Sequence, residues 1–339
     1  MATLENKYTI NHAMTVSTND GALIEIADTL SQTNLLMKVL PFFPTNETLR
    51  HVTGRITSFG TPEAVVANEG AASIVNEHEQ VIDTPIKYHN IIMPDPEALL
   101  SINDIGEWRA DRVKEYGMSY AEAIADQVIS GDSLTDPGKS IDGLAKRLGS
   151  LPTVATDVTD RYHTVRSAGG AGADNTSIYV VGLGKMGVHG LYSKNGAAGF
   201  QYSLGEAQYV NVGTAASPRY IKTRPLDVSW RTGLSATNHR MLGRVCNIDV
   251  SDLTDDASTG ANLVNELTHM INSTRVNSMG LKPALLANET VISYFETQRI
   301  NFGGNNVSLM TDLGMNLVAF KGIPFLQMDS IGVAEAVVS

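Results

Sequence analysis

The sequence predicts an α+β protein, and three observations carry that expectation. Two long stretches, 50–91 and 150–250, hold short apolar patches between glycine-rich turns and show no helical period, which is how strands and hairpins read. One stretch, Asp104 to Ser130, carries a single apolar stripe of Val113, Tyr116, Tyr120, Ile124 and Val128. Spacings of three and four put those side chains on one face of a long helix. Residues 259–300 then alternate helix, strand and helix patterns in a compact run.

From the N-terminus, residues 1–19 are polar and aperiodic and read as an arm. Asn19-Asp20 can cap a short helix holding Leu23, Ile24, Ile26 and Leu30. Leu40-Pro-Phe-Phe-Pro44 follows, and its two prolines impose an extended path. Arg50–Thr57 and Ile74–Ile82 are strand-like, separated by Gly60-Thr-Pro62 and Asn68-Glu-Gly70. They predict a long two-sided hairpin with a small, polar middle. Such a hairpin is marginal alone and makes more sense lying on another chain.

The long helix is a rod of about 40 Å. Gly117 and Ser119 are expected to kink or divide it, and Gly131-Asp132 to end it. In the β-rich stretch, Ile178–Val181 and Phe200–Leu204 flank Asn195-Gly196, a strong hairpin-turn signal. Pro225 to Trp230 is a further strand. Leu263, Val264, Leu267, Met270 and Ile271 mark an amphipathic helix. Lys282–Ala287 reads as a buried strand, and Asn288 caps a helix to about Arg299. Residues 316–330 read strand, turn, strand, with Gly322-Ile-Pro324 in the turn.

Composition excludes several function classes. The chain has 339 residues, 42% hydrophobic and 18% charged, enough for a core and against wholesale disorder. Its net charge of -11, without a Lys/Arg run, disfavours a protein that grips nucleic acid directly. The single cysteine, Cys246, makes no internal disulfide. The N-terminal residues lack a secretory pattern, and no apolar run approaches the roughly 18 residues of a membrane span. The chain is therefore expected in the cytoplasm when made.

Each chemical motif fails on mechanism. Ser177-Ile-Tyr-Val-Val-Gly-Leu-Gly-Lys-Met-Gly187 has the G-x-G-x-x-G spacing after a strand, with Glu206 near the position of a ribose-binding acid. The third glycine should open a helix whose N–H groups hold pyrophosphate. Gly190, Asn195-Gly196 and Gly199 leave no room for one. Cys246 reads as a buried structural thiol, although eight histidines leave a base partner open. Asn265-Glu-Leu-Thr-His269 lacks the first His of a zinc helix. Asp249, Asp252, Asp255 and Asp256 do not match a calcium loop; Asp255 and Asp256 are expected instead to precede a helix and favour its positive end. His51, His78 and His89 read as solvated polar residues of the hairpin. The expectation is no catalytic residue, no cofactor site and no metal site, hence no enzyme.

What remains is a chain rich in surface that cannot bury itself. In order, the arm, extended loop, long helix and compact α/β unit resemble tailed-bacteriophage major capsid proteins of the Hong Kong 97-like fold. Within that fold the chain resembles the epsilon-15-type podovirus group. The residues carrying the resemblance are Ser177-Ile-Tyr-Val-Val, Gly190-Leu-Tyr-Ser-Lys-Asn-Gly-Ala-Ala-Gly199, Trp230-Arg-Thr-Gly-Leu234 and Gly243-Arg-Val-Cys-Asn-Ile-Asp249.

The resemblance implies an N-terminal arm at 1–49 and an extended β-hairpin loop at 50–95. It implies a peripheral domain at 96–250, with a spine helix at 104–131 and a β-rich excursion at 150–250. An axial domain at 251–315 and closing peripheral strands at 316–339 complete it. It further implies a virion shell of pentamers and hexamers enclosing double-stranded DNA without sequence-specific binding. The implied partners are other copies, a portal, and scaffold or decoration proteins. No motif places a lysine–asparagine crosslink. An encapsulin-type nanocompartment, an NAD-dependent oxidoreductase and a phage adhesin are the alternatives.

Overall fold

The computed structural model describes residues 34–94, 96–100, 102–151, 164–211, 214, 217–276, 280–301, 308–312 and 315–339. The expected arm helix after Asn19-Asp20 lies outside them. The chain runs α1 (Leu36–Val39), β1 (Phe42–Pro44), β2 (His51–Ser58), β3 (Glu77–Asp83), β4 (Ile86–Ile92), α2 (Pro96–Leu100) and α3 (Ile105–Ser130). It continues through α4 (Leu144–Arg147), β5 (Val165–Ser167), β6 (Asn175–Leu183), β7 (Val188–Tyr192), β8 (Phe200–Leu204), β9 (Gln208–Asn211), β10 (Tyr220–Thr223) and β11 (Leu226–Ala236). The last part holds β12 (Leu242–Asp249), α5 (Leu263–Ser273), β13 (Lys282–Ala287), α6 (Glu289–Asn301), β14 (Ser308–Asp312), β15 (Met315–Phe320) and β16 (Ile323–Gln327).

Helix α3 starts where Asp104 caps it: its Oδ1 accepts from the N–H groups of Gly106 at 2.8 Å and Glu107 at 3.0 Å. Its 26 residues form one continuous helix, so Gly117 and Ser119 do not divide it. A helix tolerates one glycine at about 1 kcal/mol when its buried stripe is long. It stops at Gly131, where an added Cβ would lie 2.4 Å from the carbonyls of Gln127 and Ile141.

The chain forms two compact units. The first comprises residues 87–123 and 197–231 among those described. In it β8 runs antiparallel to β11, pairing Phe200 with Trp230 and Leu204 with Leu226. Ile92, Tyr120, Leu226 and Val228 form its core, with Tyr88, Val113, Tyr116, Phe200 and Trp230 packed around them. Edge-to-face contacts run from Tyr88 to Tyr120 at 5.9 Å, to Phe200 at 5.4 Å and to Trp230 at 6.3 Å. The Tyr120 hydroxyl donates to Asn90 Oδ1 at 2.6 Å. Burial raises its pKa above the ordinary phenol value, which keeps it a donor.

The second unit is built on β6, whose nine residues are all buried. A strand covered on both faces reads as a continuous apolar and small run rather than an alternation. β12 pairs antiparallel on one side of it and β13 antiparallel on the other. β13 continues in parallel to β16, which pairs antiparallel with β15, and β15 with β14. Helices α5 and α6 cover this sheet through Leu263, Leu267, Met270, Ile271, Val291 and Phe295. Asn262 caps α5, and Asn288 Oδ1 accepts from the Thr290 N–H at 3.1 Å to cap α6. Phe295 packs against Phe320 at 5.2 Å and Phe325 at 4.9 Å.

Two turn assignments change. The turn between β15 and β16 is Lys321-Gly322, both at positive φ (51° and 76°), while Ile323 and Pro324 belong to β16. A two-residue turn with both residues in the left-handed region matches strand twist. At Asn195-Gly196 the turn exists, with the Gly196 N–H donating to Ser193 O at 2.9 Å. However, β7 and β8 on its two sides each pair with β11 rather than with one another. An Asn-Gly pair specifies local bending; the available partner strand decides the pairing.

Candidate interaction surface

Strand β6 ends in the glycine motif, and its glycines serve backbone packing. Gly184 sits at φ +151°, its N–H donating to Val188 O at 2.9 Å, and the Gly187 N–H donates to Gly184 O at 3.0 Å. β7 begins at Val188, so no helix follows the third glycine. A Cβ on Gly187 would lie 2.1 Å from Gly182 O. The spacing is thus demanded by a tight strand-to-strand connection. Glu206 lies exposed between β8 and β9.

Cys246 is buried in β12, and burial pushes its thiol up to about 11, against the nearby Arg244 charge. A thiol held protonated is a poor nucleophile. Asp255 and Asp256 do not flank a helix start: Asn262 caps α5, and Asp256 accepts from the Ser258 N–H at 3.1 Å within its own turn. The dipole interaction falls off within one helical turn, which leaves both acids out of range. Among the described residues no group of three or more His, Cys, Asp or Glu is placed to hold a metal ion. No helix among them is long and apolar enough to cross a membrane.

The β2–β3 hairpin is a separate two-stranded sheet, with His51 opposite Asp83 at its root and Ser58 opposite Glu77 at its far end. Beyond it, residues 59–76 hold large exposed apolar side chains. Phe59 is 76% exposed, Val66 73% and Val75 72%. Arg55 pairs with Glu79 at 2.5 Å across the strands.

The root is anchored more firmly. The Arg147 guanidinium pairs with Asp83 at 2.6 Å, with both side chains under a tenth exposed, and also donates to Leu234 O at 3.1 Å. Beside the root a cavity of about 510 Å³ is lined by Arg55, Glu79, Asp142, Lys146, Arg147 and His239, among others. Its charges are compensated: Lys146 lies 2.7 Å from Asp132 and 2.5 Å from Asp142. The Lys146 hydrogen bond, with those from Leu134 and Thr135, holds the Asp132 carboxyl down at about 2.

His78 and His89 are exposed as expected, but His51 is half-buried. Its ring meets His189 edge-on at 5.9 Å, and His189 meets Phe43 at 5.3 Å. His189, in β7, was signalled by no motif, and neither was the Arg147–Asp83 pair, whose members lie 64 positions apart.

A second surface lies on the β9–β10 hairpin. Tyr209 pairs with Lys222, and Tyr220 with Asn211. These four share one face, while the side chains alternate so that Val210 and Ile221 take the other. Tyr209 is 72% exposed and Tyr220 64%.

The structure is similar across its whole length to the capsid protein of bacteriophage Epsilon15, covering 100% of each chain at 22% identity with a TM-score of 0.74. The capsid of bacteriophage JBD30 covers 89% of this chain and 93% of its own at 9% identity and a TM-score of 0.46. The SrpI encapsulin of Synechococcus elongatus PCC 7942 covers 66% and 92% at 10% identity and 0.40. The fold is Hong Kong 97-like.

The family described as Major capsid protein GP7 matches residues 18–339, and the chain belongs to it. It is therefore a phage major capsid protein. No curated protein matches the sequence.

Proposed function

We propose that the chain assembles as pentamers and hexamers into an icosahedral shell around double-stranded DNA, in the host cytoplasm, without catalysis. The observation that supports this most is the β2–β3 hairpin. Among the described residues its strands pair only with each other, and its end holds Phe59, Val65, Val66, Ile74 and Val75 in solvent. That apolar surface is covered when copies associate.

On this reading residues 1–49 are an arm, 50–95 the extended loop, 96–250 with 316–339 a peripheral domain, and 251–315 an axial domain. The net charge of -11 suits a container that does not grip its DNA. Portal, scaffold and decoration proteins are the remaining partners. Electron microscopy and sedimentation of the purified chain test the proposal. Capsomers or closed shells are expected. A chain that stays monomeric at high concentration, across salt conditions and with co-expressed scaffold, overturns it.

A further inference from the structure

The capsid reading leaves open which surface receives the hairpin. We propose that the end of the β2–β3 hairpin of one copy seats on the outer face of the β9–β10 hairpin of a neighbouring copy. The inference rests on the capsid reading and adds the receiving face to it.

The two surfaces are complementary in chemistry. Residues 59–78 contain Glu63, Glu69 and Glu77 and no Lys or Arg; all three acids are exposed, among the exposed apolar side chains of Phe59, Val66 and Val75. The receiving hairpin inverts the sign. Lys222 shares the face of Tyr209 and Tyr220, Arg219 and Arg224 stand at the two ends of β10, and Glu206 is the one acid of residues 205–225. All three bases are exposed.

The aromatic face is not waiting for its own chain's core. The opposite face of the same hairpin is the inward one: Val210 and Ile221 are half-buried there, and the Thr223 hydroxyl donates to Pro94 O at 2.5 Å. Tyr209 and Tyr220 are therefore held outward by register, not by accident of rotamer. Tyrosines offer large contact area at low entropic cost, and arginines and lysines around them set sign and register.

A second copy is the occupant favoured by charge. A chain of net charge -11 carries few basic surfaces, and this one is matched by an acidic, apolar segment present in every copy. Nucleic acid is the competing occupant of a basic aromatic face.

The test is a charge swap in the full-length chain, read by light scattering, electron microscopy and thermal melting. Arg219→Glu with Lys222→Glu is expected to slow assembly at least tenfold, as is Glu63→Lys with Glu77→Lys. All four positions are exposed, so each variant should keep the wild-type Tm. A mixture of the two variants, or the combined quadruple variant, should recover assembly. In shells of the Val66→Cys, Tyr220→Cys variant, oxidation should give inter-chain disulfides between the two new thiols, with Cys246 buried and unreactive.

Wild-type assembly kinetics in the Arg219/Lys222 variant, or no recovery on combining charges, overturns this receiving face while wild-type shells leave the capsid reading intact. A labelled single-stranded DNA that binds wild-type protein and is lost in the Arg219/Lys222 variant, with assembly unchanged, assigns the face to nucleic acid and likewise overturns the proposal. Failure of the wild-type chain to assemble at all counts against the capsid reading itself.

Discussion

Gly187 shows how a residue-level pattern acquires its meaning. Its spacing from Gly182 and Gly184 matches a nucleotide loop, yet the side chain is forbidden by Gly182 O at 2.1 Å. Gly187→Val should destabilise the fold by about 1–3 kcal/mol, the usual cost of overpacking. Denaturant midpoints measure it. A pyrophosphate role would instead leave stability nearly unchanged.

The histidines at the hairpin root make a second residue-scale prediction. Burial lowers the pKa of His51 below 6.5, opposed by Asp83. Burial and the neighbouring His51 lower that of His189, opposed by the Gly184 and Gly187 carbonyls and by Asp83. Groups lowered on folding bind fewer protons in the native state. Their contribution is present above pH 6.5 and lost as pH falls through the lowered values. Stability should therefore decline as pH falls below about 6.5, and His189→Gln should flatten that decline in urea titrations read at several pH values. An unchanged slope in the variant counts against the assignment.

At the scale of elements, α3 is legible because its stripe is long: Tyr120, Ile124 and Val128 are all buried. Trp108 is also buried in it, although it stands outside the stripe chosen from spacing. Gly117 lies within the helix with nothing nearer its missing Cβ than Phe200 Cδ1 at 4.0 Å. Gly117→Ala should stabilise by about 0.5–1 kcal/mol through the unfolded chain's lost freedom. A thermal melt checks the sign. Helix α5 was readable from its period, although its cap, Asn262, was not, and α6 from its Asn288 cap. The Asn195-Gly196 hairpin was not, since nothing in a turn says which strand its arms will meet.

At the scale of the whole molecule, the proposed role of the β2–β3 hairpin in assembly is open to a deletion test. Deleting residues 58–75 should abolish shells while α5, β13 and α6 keep their structure, because those elements share a core of their own. Sedimentation with far-UV circular dichroism tests both halves. Shells formed by the deletion variant would remove the hairpin from assembly. That strand pairing stops short of residues 59–76 was foreseeable, since they offer small and polar side chains among a few apolar ones.

The sequence by itself determined the α+β class, the long helix, the amphipathic α5, the Asn288-capped α6, the hairpin and the lack of a nucleotide helix. Each rests on periodicity, caps or glycine placement, and these act over a few residues along the chain. Only the tertiary structure decided that β6 lies between β12 and β13, that Arg147 closes on Asp83, and that Tyr209 and Tyr220 point outward from the unit holding them. Those outcomes depend on which distant segments meet, and loop closure over many tens of residues leaves almost no mark on local sequence.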